Sequence, residues 1–261
     1  MKTEARAKIN LCLAVRGKAG SMHILDGVFA PIDLSDDVEI VDSDFLYVEY
    51  ADGRTYERDN ALRIAEKLTK RYGLPPFGIL ITKRIPEGKG LGGSSADAGA
   101  VARLVKEKFS LPEIDGKILL ETGSDVPFAY FDCAARVQGL GDSLKKIVLP
   151  EYRVCLLVPE KGVSTKACFD LYDETGGEEP DVESVESGDF TKIGNALTRA
   201  ACLLEPSVKE GLETLRSCGF VASMTGSGSA VFGIETDENE FIRKAELTIK
   251  RADKKFKAYV M

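Results

Sequence analysis

The sequence predicts a chain of mixed strands and helices that divides into two parts. The apolar run from Phe77 to Lys83 is typical of a strand, and apolar residues then recur at helical spacing from Ser95 to Phe109. A second set of this kind begins with the apolar segment from Tyr152 to Val158. We therefore expect a boundary near residues 145–152, with one domain at 1–150 and the other at 151–261.

Composition agrees with an enzyme-sized globular chain. With 261 residues and 44% hydrophobic content, the chain can bury a large core and form two domains. No apolar run approaches the ~20 residues of a membrane span, and Met1 to Glu4 lacks the apolar core of a secretory signal. We expect a cytoplasmic protein with no membrane partner. The net charge of −7 argues against a nucleic-acid polymer as partner, and nothing in the sequence indicates an oligomeric state.

The cysteines are scattered and form no C-x-x-C pair. They fall mostly in apolar stretches, which predicts reduced core thiols rather than disulfides or a zinc site. The six cysteines are Cys12, Cys133, Cys155, Cys168, Cys202 and Cys218.

The first predicted element is a half-buried strand near the N-terminus. Apolar residues at alternate positions from 9 to 15 place Lys8, Asn10 and Cys12 together on the other face. A lysine there is ordinarily on the solvated side of a sheet. A functional role for Lys8 therefore needs a partner elsewhere in the chain.

The most informative segment is the glycine-rich loop from Pro86 to Asp97, Pro-Glu-Gly-Lys-Gly-Leu-Gly-Gly-Ser-Ser-Ala-Asp. Glycine allows positive φ and lets backbone N–H groups approach anionic oxygens, and the following helix start adds unpaired donors. Because the loop joins a predicted strand to a predicted helix, it predicts a phosphate-binding loop. A glycine-rich loop taken alone is also an ordinary turn.

Three better-known nucleotide motifs do not fit this loop. Residues 88–93 match G-x-G-x-x-G, but the segment after Phe109 has a helical pattern through Leu120 where a Rossmann unit needs a second strand. A P-loop needs Gly-Lys-Ser/Thr, and this loop ends in Gly-Gly-Ser-Ser. His23 is the only histidine and no Asp-Phe-Gly occurs, which excludes the protein-kinase signatures.

The remaining segments are individually ambiguous. In Gly123 to Phe128, Asp125 stands between a turn and a proline, where an acid is ordinarily a cap. Small residues from Met224 to Phe232 precede an apolar strand, as in an ordinary β-turn. The acidic stretch from Asp173 to Asp189 predicts a solvated loop with little helix, and a last strand is predicted from Lys257 to Val260.

Taken together, these segments resemble a known superfamily. The pattern P-x-G-x-G-L-G-[GS]-S-S resembles the phosphate loop of the GHMP kinases, which include galactokinase and the homoserine, mevalonate and phosphomevalonate kinases. Within it, the chain is similar over nearly its whole length to the family that phosphorylates 4-diphosphocytidyl-2-C-methyl-D-erythritol. The matching segments, in order, are 7–11, 21–25, 59–62, 123–128, 163–165, 195–197 and 225–230.

The resemblance implies an α+β fold in two lobes, an N-terminal ribosomal-protein-S5-like lobe and a C-terminal ferredoxin-like lobe, with the active site between them. It implies transfer of the γ-phosphoryl group of ATP, with Mg²⁺, to the 2-hydroxyl of the cytidine diphosphate substrate, a step of non-mevalonate isoprenoid synthesis. Such transfer mainly needs positioning and charge neutralisation. By resemblance, Asp125 is the general base, and Lys8 offsets the negative charge beside it.

The same resemblance implies a nucleotide site on the glycine-rich loop, with Ser94 near Mg²⁺ and Asn60 near the adenine. A helix cap is an equally good interpretation of Asn60. Lys89 replaces a small residue of the family; it either contacts phosphate or points into solvent, and we expect solvent. The predicted nucleotide-binding residues are Asn60, Pro86, Gly88, Lys89, Gly90, Leu91, Gly92, Gly93, Ser94 and Ser95.

On the acceptor side, Met22 stands where the family has a tyrosine that stacks on cytosine. A thioether still packs on a ring, with less area. By resemblance, His23 reads the edge of the cytosine and Phe169 forms the other aromatic wall; a structural loop histidine and a helix-core phenylalanine are the alternatives. The predicted substrate-binding residues are Asn10, Met22, His23, Phe169, Thr225, Gly226 and Ser227.

Two other functions stay open at this point. Because Met22 replaces the tyrosine, the chain could be another GHMP kinase acting on a mevalonate-like acid, homoserine or a sugar. It could also be a nucleotide-binding relative without catalysis, although the presence of both Lys8 and Asp125 argues against lost chemistry.

Overall fold

A computed structural model describes residues 1–252 and 255–261. The strands are β1 (Lys2–Ala19), β2 (Met22–Asp42), β3 (Tyr47–Tyr50), β4 (Phe77–Thr82), β5 (Ala135–Gly139), β6 (Ser143–Lys146), β7 (Arg153–Pro159), β8 (Gly194–Asn195), β9 (Val221–Met224), β10 (Val231–Glu235) and β11 (Phe256–Val260). The helices are α1 (Asn60–Tyr72), α2 (Gly93–Lys108), α3 (Gly116–Leu120), α4 (Val126–Phe131), α5 (Thr165–Thr175), α6 (Val182–Glu186), α7 (Thr198–Leu204), α8 (Pro206–Ser217) and α9 (Glu238–Arg251).

The first sheet is built around two long antiparallel strands, β1 and β2. Their pairing runs from Lys2 opposite Glu39 to Ala19 opposite Met22. The late part of β2 pairs with β4, and its early part pairs with β5, which in turn pairs with β6. β3 extends the β4 edge, and β8 pairs in parallel with β1 on the other side. β2 thus lies between β4 and β1, and the glycine-rich loop after β4 reaches β1 where the Lys8 N–H donates to the carbonyl oxygen of Leu91.

Two helices cover this sheet. α1 begins after Asp59, whose side chain accepts from the N–H groups of Ala61 and Leu62, and ends at Gly73 in the left-handed conformation. α2 is buried along most of its length and packs against α1, α4, β1 and β2. The predictions of a helix at 95–109 and of a strand at 77–83 are therefore confirmed, and the helical pattern after Phe109 corresponds to the short helix α3.

The second sheet is antiparallel with the order β11-β7-β10-β9. Helices α5 to α8 connect β7 to β9, and α9 connects β10 to β11. This β-α-β-β-α-β order is the ferredoxin-like arrangement that the resemblance implied, so that prediction is confirmed.

The boundary predicted near residue 150 separates the strands of the two sheets with one exception. β8 belongs to the second half of the chain but pairs with β1, through Cys12–Gly194 and Leu13–Asn195. The division at 1–150 and 151–261 stays a prediction.

Two predictions about burial are wrong. β1 is buried on both faces rather than one, because helices cover one side and the second half of the chain covers the other; Lys8, at 6% exposure, is not on a solvated side. The acidic stretch is not a plain solvated loop either. It contains α6, whose Val182 and Val185 are fully buried, three residues apart on one helix face, while Glu183 and Glu186 pair with Arg136.

The six cysteines are free, and four of them are buried, as predicted. Burial raises the pKa of the Cys12 and Cys155 thiols to about 12. None of the helices in the described part of the chain is long and apolar enough to cross a membrane.

Candidate active site

A cavity of about 370 Å³ lies between the glycine-rich loop, β1, α5 and the turn after β9. All of the predicted site residues line it except Met22, His23 and Thr225. It is also lined by residues that the sequence did not single out, among them Tyr50, Lys83, Asp97 and Thr165. Residues of β1, the glycine-rich loop, the segment around Asp125 and the turn after β9 therefore meet at one place.

The glycine-rich loop has the backbone conformation expected of a phosphate cradle. Gly88, Gly90 and Gly92 all have positive φ, between 64° and 79°. A Cβ on Gly90 would lie 2.2 Å from the carbonyl oxygen of Thr225, so the loop and the second lobe touch backbone to backbone. Gly92 is the N-cap of α2 and brings no side chain to the free N–H groups of Gly93, Ser94 and Ser95. These donors and the helix dipole favour an anion.

Lys8 and Asp125 face each other across the cavity. The Lys8 Nζ lies 3.6 Å from Asp125 Oδ2; the lysine side chain is 8% exposed and the carboxylate 32%. Asp125 precedes α4, but its side chain makes no capping hydrogen bond there, so the cap interpretation does not hold. The arrangement leaves the carboxylate open to a ligand with a buried cation beside it.

Asn10 orients Lys8 and joins the two lobes. Its Oδ1 accepts from Lys8 Nζ at 2.7 Å and from the Gly226 N–H at 2.6 Å. Thr225 Oγ1 lies 3.2 Å from the same oxygen and 3.1 Å from the carbonyl oxygen of Gly90. All of these groups donate to the same end of the Asn10 side chain, so that end must be the amide oxygen Oδ1. The other end, Nδ2, is therefore the donor that is left for the cavity. Asn10 is only 1% exposed.

Thr225 differs from its predicted role. It is fully buried and does not line the cavity, because its hydroxyl lies between Asn10 and the glycine-rich loop. The turn that follows it is held by Asn195, whose Nδ2 donates to the carbonyl oxygens of Met224 and Gly226 at 3.0 and 2.8 Å. Sequence reasoning quoted Asn195 only as part of a matching segment and assigned it no role.

Beneath the loop lies a buried ionic cluster that the sequence reasoning missed. Lys83 Nζ donates to Asp36 Oδ2 at 2.5 Å and to Asp97 Oδ2 at 2.6 Å, with all three side chains at most 4% exposed. Asp36 also accepts from the N–H groups of Arg84 and Ile85, whereas Asp97 Oδ1 has no partner within the described residues. Burial raises the pKa of Asp97 to about 7. Two features of the sequence could have indicated this cluster. Lys83 stands at the end of a predicted strand, and Asp97 lies on the apolar stripe of a predicted helix.

For two residues of the predicted nucleotide site, contacts with neighbouring residues decide between the alternatives that the sequence left open. Asp59, not Asn60, caps α1, and Asn60 instead accepts from Arg63 Nη1 at 3.0 Å while lining the cavity. Lys89 does not point into solvent as expected. Its Nζ donates to the carbonyl oxygen of Glu160 at 2.5 Å, and burial lowers the pKa of this lysine.

At the acceptor end, one ring of an aromatic pair lines the cavity, and its partner His23 lies outside the lining. Phe169 lines the cavity and stacks on His23, with ring centroids 4.4 Å apart and planes 24° apart. Phe169 also packs against a cluster of buried apolar side chains that includes Cys168, Leu197 and Ala200, so the pocket-wall and core interpretations both apply to it. Met22 is 55% exposed and lies outside the cavity.

A dedicated metal cage is not part of this site. Among residues 1–252 and 255–261, no group of three or more His, Cys, Asp or Glu side chains could hold a metal ion. Ser94 is exposed at the start of α2, beside the free N–H groups of the loop. Such a site fits a cation that takes most of its ligands from phosphates and water, as Mg²⁺ does.

The chain matches two models of one superfamily. Residues 59–133 match the GHMP kinases N terminal domain and residues 181–246 match the GHMP kinases C terminal domain. Among solved structures, a homoserine kinase from Cytophaga hutchinsonii aligns with a TM-score of 0.70 at 16% identity, over 100% of this chain and 93% of that one. A Methanococcus jannaschii mevalonate kinase aligns with 0.68 at 15%, over 100% and 97%. At this level of identity, the two structures show only that they have the same fold as this chain. The two-lobed GHMP kinase fold predicted for the chain is confirmed.

Similarity to one family is higher. The 4-diphosphocytidyl-2-C-methyl-D-erythritol kinase of Pseudothermotoga lettingae is 32% identical over 91% of this chain and 92% of its own length, and that of Ruegeria pomeroyi is 34% identical over 88% and 87%. A crystal structure of 4-(cytidine 5'-diphospho)-2C-methyl-D-erythritol kinase aligns over 100% of this chain and 98% of that one, with a TM-score of 0.81 and 30% identity. The chain therefore belongs to the 4-diphosphocytidyl-2-C-methyl-D-erythritol kinase family of the GHMP kinases.

Proposed function

We propose that this protein transfers the γ-phosphoryl group of ATP to the 2-hydroxyl of 4-diphosphocytidyl-2-C-methyl-D-erythritol, in the cytoplasm. The observation that carries the proposal is the Lys8–Asp125 pair in the same cavity as an uncapped, glycine-built helix start. The first group can activate an alcohol and the second can hold a polyphosphate.

Asp125 acts as the general base. Its carboxylate is a third exposed and is not used as a helix cap, so it can accept the proton of the substrate hydroxyl. Lys8, held by Asn10 Oδ1, offsets the charge that develops on the attacking oxygen. Asn10 Nδ2 provides a further donor toward the cavity, consistent with its predicted contact with substrate.

The backbone from Gly88 to Ser95 holds the β- and γ-phosphates of ATP through N–H groups and the α2 dipole. When bound, Mg²⁺ neutralises charge between these phosphates, with the Ser94 hydroxyl as the residue of this chain suited to approach it. Asn60 and Tyr50 contact the adenosine, which is supported by their position in the cavity lining near the start of α1.

The choice of the cytidyl compound as the alcohol substrate is supported by the sequence identities to two groups of kinases. The relatives named for the cytidyl substrate are 30–34% identical over about nine-tenths of the chain or more, whereas the homoserine and mevalonate kinases are at 15–16%. The Phe169 ring, which lines the cavity at the acceptor end, also suits contact with a planar base.

The test is ATP consumption by the purified protein with Mg²⁺, offered the cytidyl substrate beside mevalonate, homoserine and galactose. We expect turnover of the cytidyl substrate alone. Asp125→Asn should lower kcat about 10²–10⁴-fold, the usual contribution of a general base. Asp42→Asn, the same change on a carboxylate that is 94% exposed and far from the cavity, is the matched control and should leave kcat unchanged.

Turnover only of another alcohol would keep the GHMP kinase chemistry and reject the cytidyl substrate. Wild-type kcat in Asp125→Asn would reject the assigned base. Binding of ATP with no turnover of any of the four alcohols would favour a relative without catalysis.

A further inference from the structure

The loop between β3 and α1, residues 51–59, forms one wall of the cavity at the end where α1 starts. Its residues Tyr56, Arg58 and Asp59 line the cavity, and so does Glu87 of the glycine-rich loop. Tyr56 is 38% exposed and the Glu87 side chain 45%, so both stand at the outer edge of the lining. The two walls therefore meet at a rim that faces solvent.

Three side chains join the walls at this rim. Glu87 Oε1 accepts from Arg54 Nη1 at 2.6 Å and from the hydroxyl of Tyr56. Arg54 Nη1 also donates to the Tyr56 hydroxyl at 3.3 Å. We call these contacts of Arg54, Tyr56 and Glu87 the rim latch. Because Tyr56 and Glu87 both line the cavity and touch each other, the latch closes the wall at this point.

Neighbouring side chains hold the loop side of the latch in place. Both carboxylate oxygens of Asp52 accept from Arg54 Nε, at 2.8 and 2.6 Å, which orients the guanidinium. The Tyr56 ring packs edge-on against Tyr50, with 4.9 Å between centroids and 74° between planes. Burial and the contact with Glu87 raise the pKa of Tyr56, so its hydroxyl keeps the proton that the carboxylate accepts.

The two ends of the loop are anchored separately from the latch. The Ala51 N–H donates to the carbonyl oxygen of Ile81 at 2.9 Å, and Asp59, which caps α1, accepts from the Tyr50 hydroxyl at 2.8 Å. Residues 51–58, all within the described part of the chain, are exposed and lie in neither a helix nor a strand. Exposed segments of this kind open at low cost in free energy. Breaking the latch therefore frees the middle of the loop while β3 and α1 stay folded.

We propose that the rim latch is a gate for nucleotide exchange: nucleotide enters and leaves the cavity when Glu87 separates from Arg54 and Tyr56 and the loop moves away from the glycine-rich loop. The proposal rests on the proposed function, because that function places a nucleotide at this end of the cavity. It concerns entry and release, not phosphoryl transfer.

A gate predicts a particular pattern in the rate constants. If the latch closes both the empty and the loaded cavity, weakening it raises the association and dissociation rate constants by the same factor and leaves Kd unchanged. A side chain that contacts the nucleotide acts differently, because its loss raises Kd mainly through faster dissociation. Measuring both rate constants therefore separates a gate from a binding contact.

The experiment is stopped-flow binding of ADP that carries a fluorescent N-methylanthraniloyl group on its ribose, in the presence of Mg²⁺. Glu87→Gln, Tyr56→Phe and Arg54→Ala should each raise both rate constants about two- to fivefold, the range for a partly exposed charged contact. Calorimetry with unlabelled ADP should give a Kd within about twofold of wild type. Arg84→Ala is the matched control, because this exposed arginine near the loop pairs instead with Asp37, and it should change neither rate constant.

The sign of the association effect excludes simple electrostatics. Loss of a positive charge near the cavity slows the association of an anion, so faster association in Arg54→Ala identifies the gate. Slower association in Arg54→Ala, or a raised Kd with unchanged association in Tyr56→Phe, would overturn the proposal.

A double variant tests whether the contacts act as one latch. Arg54→Ala and Glu87→Gln break the same contact, so the protein with both changes should be no faster than the faster single variant. Factors that multiply in the double variant would mean two independent effects and would reject the latch.

The same series separates failure of the gate from failure of the proposed function. Wild-type protein that binds no ADP would reject the nucleotide site and the gate with it. The predicted rate constants without turnover of the cytidyl substrate would support the gate and reject the substrate. Rate constants equal to wild type in all variants of an active enzyme would reject the gate alone.

Discussion

The two ends of the cavity are built from different parts of the chain. At the end formed by the glycine-rich loop, the start of α2 leaves backbone N–H groups free, and the loop is held by backbone contacts with the turn after β9. At the other end, the cavity wall consists of side chains, with Leu25 contributed by β2 and Thr165 and Phe169 by α5. A backbone site constrains sequence to glycine and small residues, whereas a side-chain wall can be built from many different residues. The loop can therefore be recognised in the sequence, whereas Met22, which the resemblance placed at the substrate, lies outside the cavity.

The largest effect should come from adding one methyl group to the loop backbone. Gly90→Ala forces positive φ on alanine and places its Cβ 2.2 Å from the Thr225 carbonyl oxygen. We expect loss of more than about 3 kcal/mol in the free energy of unfolding, and of at least 10²-fold in kcat/KM for ATP. Urea unfolding and steady-state kinetics measure these.

Gly88→Ala is the matched control. Its φ of 64° is also positive, but a Cβ there would meet nothing within 4 Å. It should cost only about 1–2 kcal/mol, the price of the left-handed conformation itself. Equal effects of the two substitutions would mean that close backbone contact with the second lobe is unimportant.

The buried cluster beneath the loop predicts a pH-dependent stability. The pKa of Asp97 is raised to about 7, against about 3.9 in an unfolded chain. Between these two pH values, the Asp97 carboxyl is protonated in the native state and ionised in the unfolded state. The contribution of this proton to the free energy of unfolding is therefore complete below about pH 4 and is lost as the pH rises through about 7. The loss is at most about 1.4 kcal/mol per pH unit.

This prediction is measured by urea unfolding at pH 5 and pH 8. Asp97→Asn should remove the fall in stability between these values, whereas Asp170→Asn on the exposed face of α5 should retain it. The same pH slope in wild type and Asp97→Asn would show that Asp97 does not carry the proton.

The smallest effect should come from Lys89, a side chain in a loop that acts through its backbone. Lys89→Ala removes a bond to the carbonyl oxygen of Glu160 and should cost about 1 kcal/mol or less of stability, with kcat/KM for ATP within about threefold of wild type. Thermal unfolding and ATP titration check it. A tenfold or larger loss in kcat/KM for ATP would mean that the lysine turns to the phosphates and that the nucleotide end is not a backbone site alone.

Local pattern was sufficient for the strand at 77–83, the helix at 95–109 and the glycine-rich loop between them. Glycine spacing, helical periodicity and the Gly-Gly-Ser-Ser ending are patterns of only a few residues each. The elements and the loop that these patterns indicate can therefore be predicted directly from the sequence. Lys8 and Asp125 were paired through resemblance, since 117 positions separate them and no local rule links a strand lysine to a turn acid.

The errors concern contacts made across the fold. Lys89 was expected in solvent because Glu160 and its carbonyl oxygen come from a distant strand end. The stretch after Asp173 was taken as a loop because its acids outnumber its apolar residues, but Val182 and Val185 suffice to bury one helix face. Asn10 holds the turn at Gly226 through a bond that spans the two lobes, and Asn195 holds the same turn from 31 positions away. Neither bond leaves a periodic trace in the sequence.

The two-residue strand β8 has a consequence for how the protein is made. It brings Gly194 and Asn195 into the sheet that β1 begins. At about 5–20 residues per second, a ribosome needs roughly ten to forty seconds after residue 1 to add Asn195. Until then the nascent first lobe has an open edge at β1, and an open edge is a surface on which chains pair wrongly. The early lobe therefore depends, during synthesis, on a partner strand that is translated late.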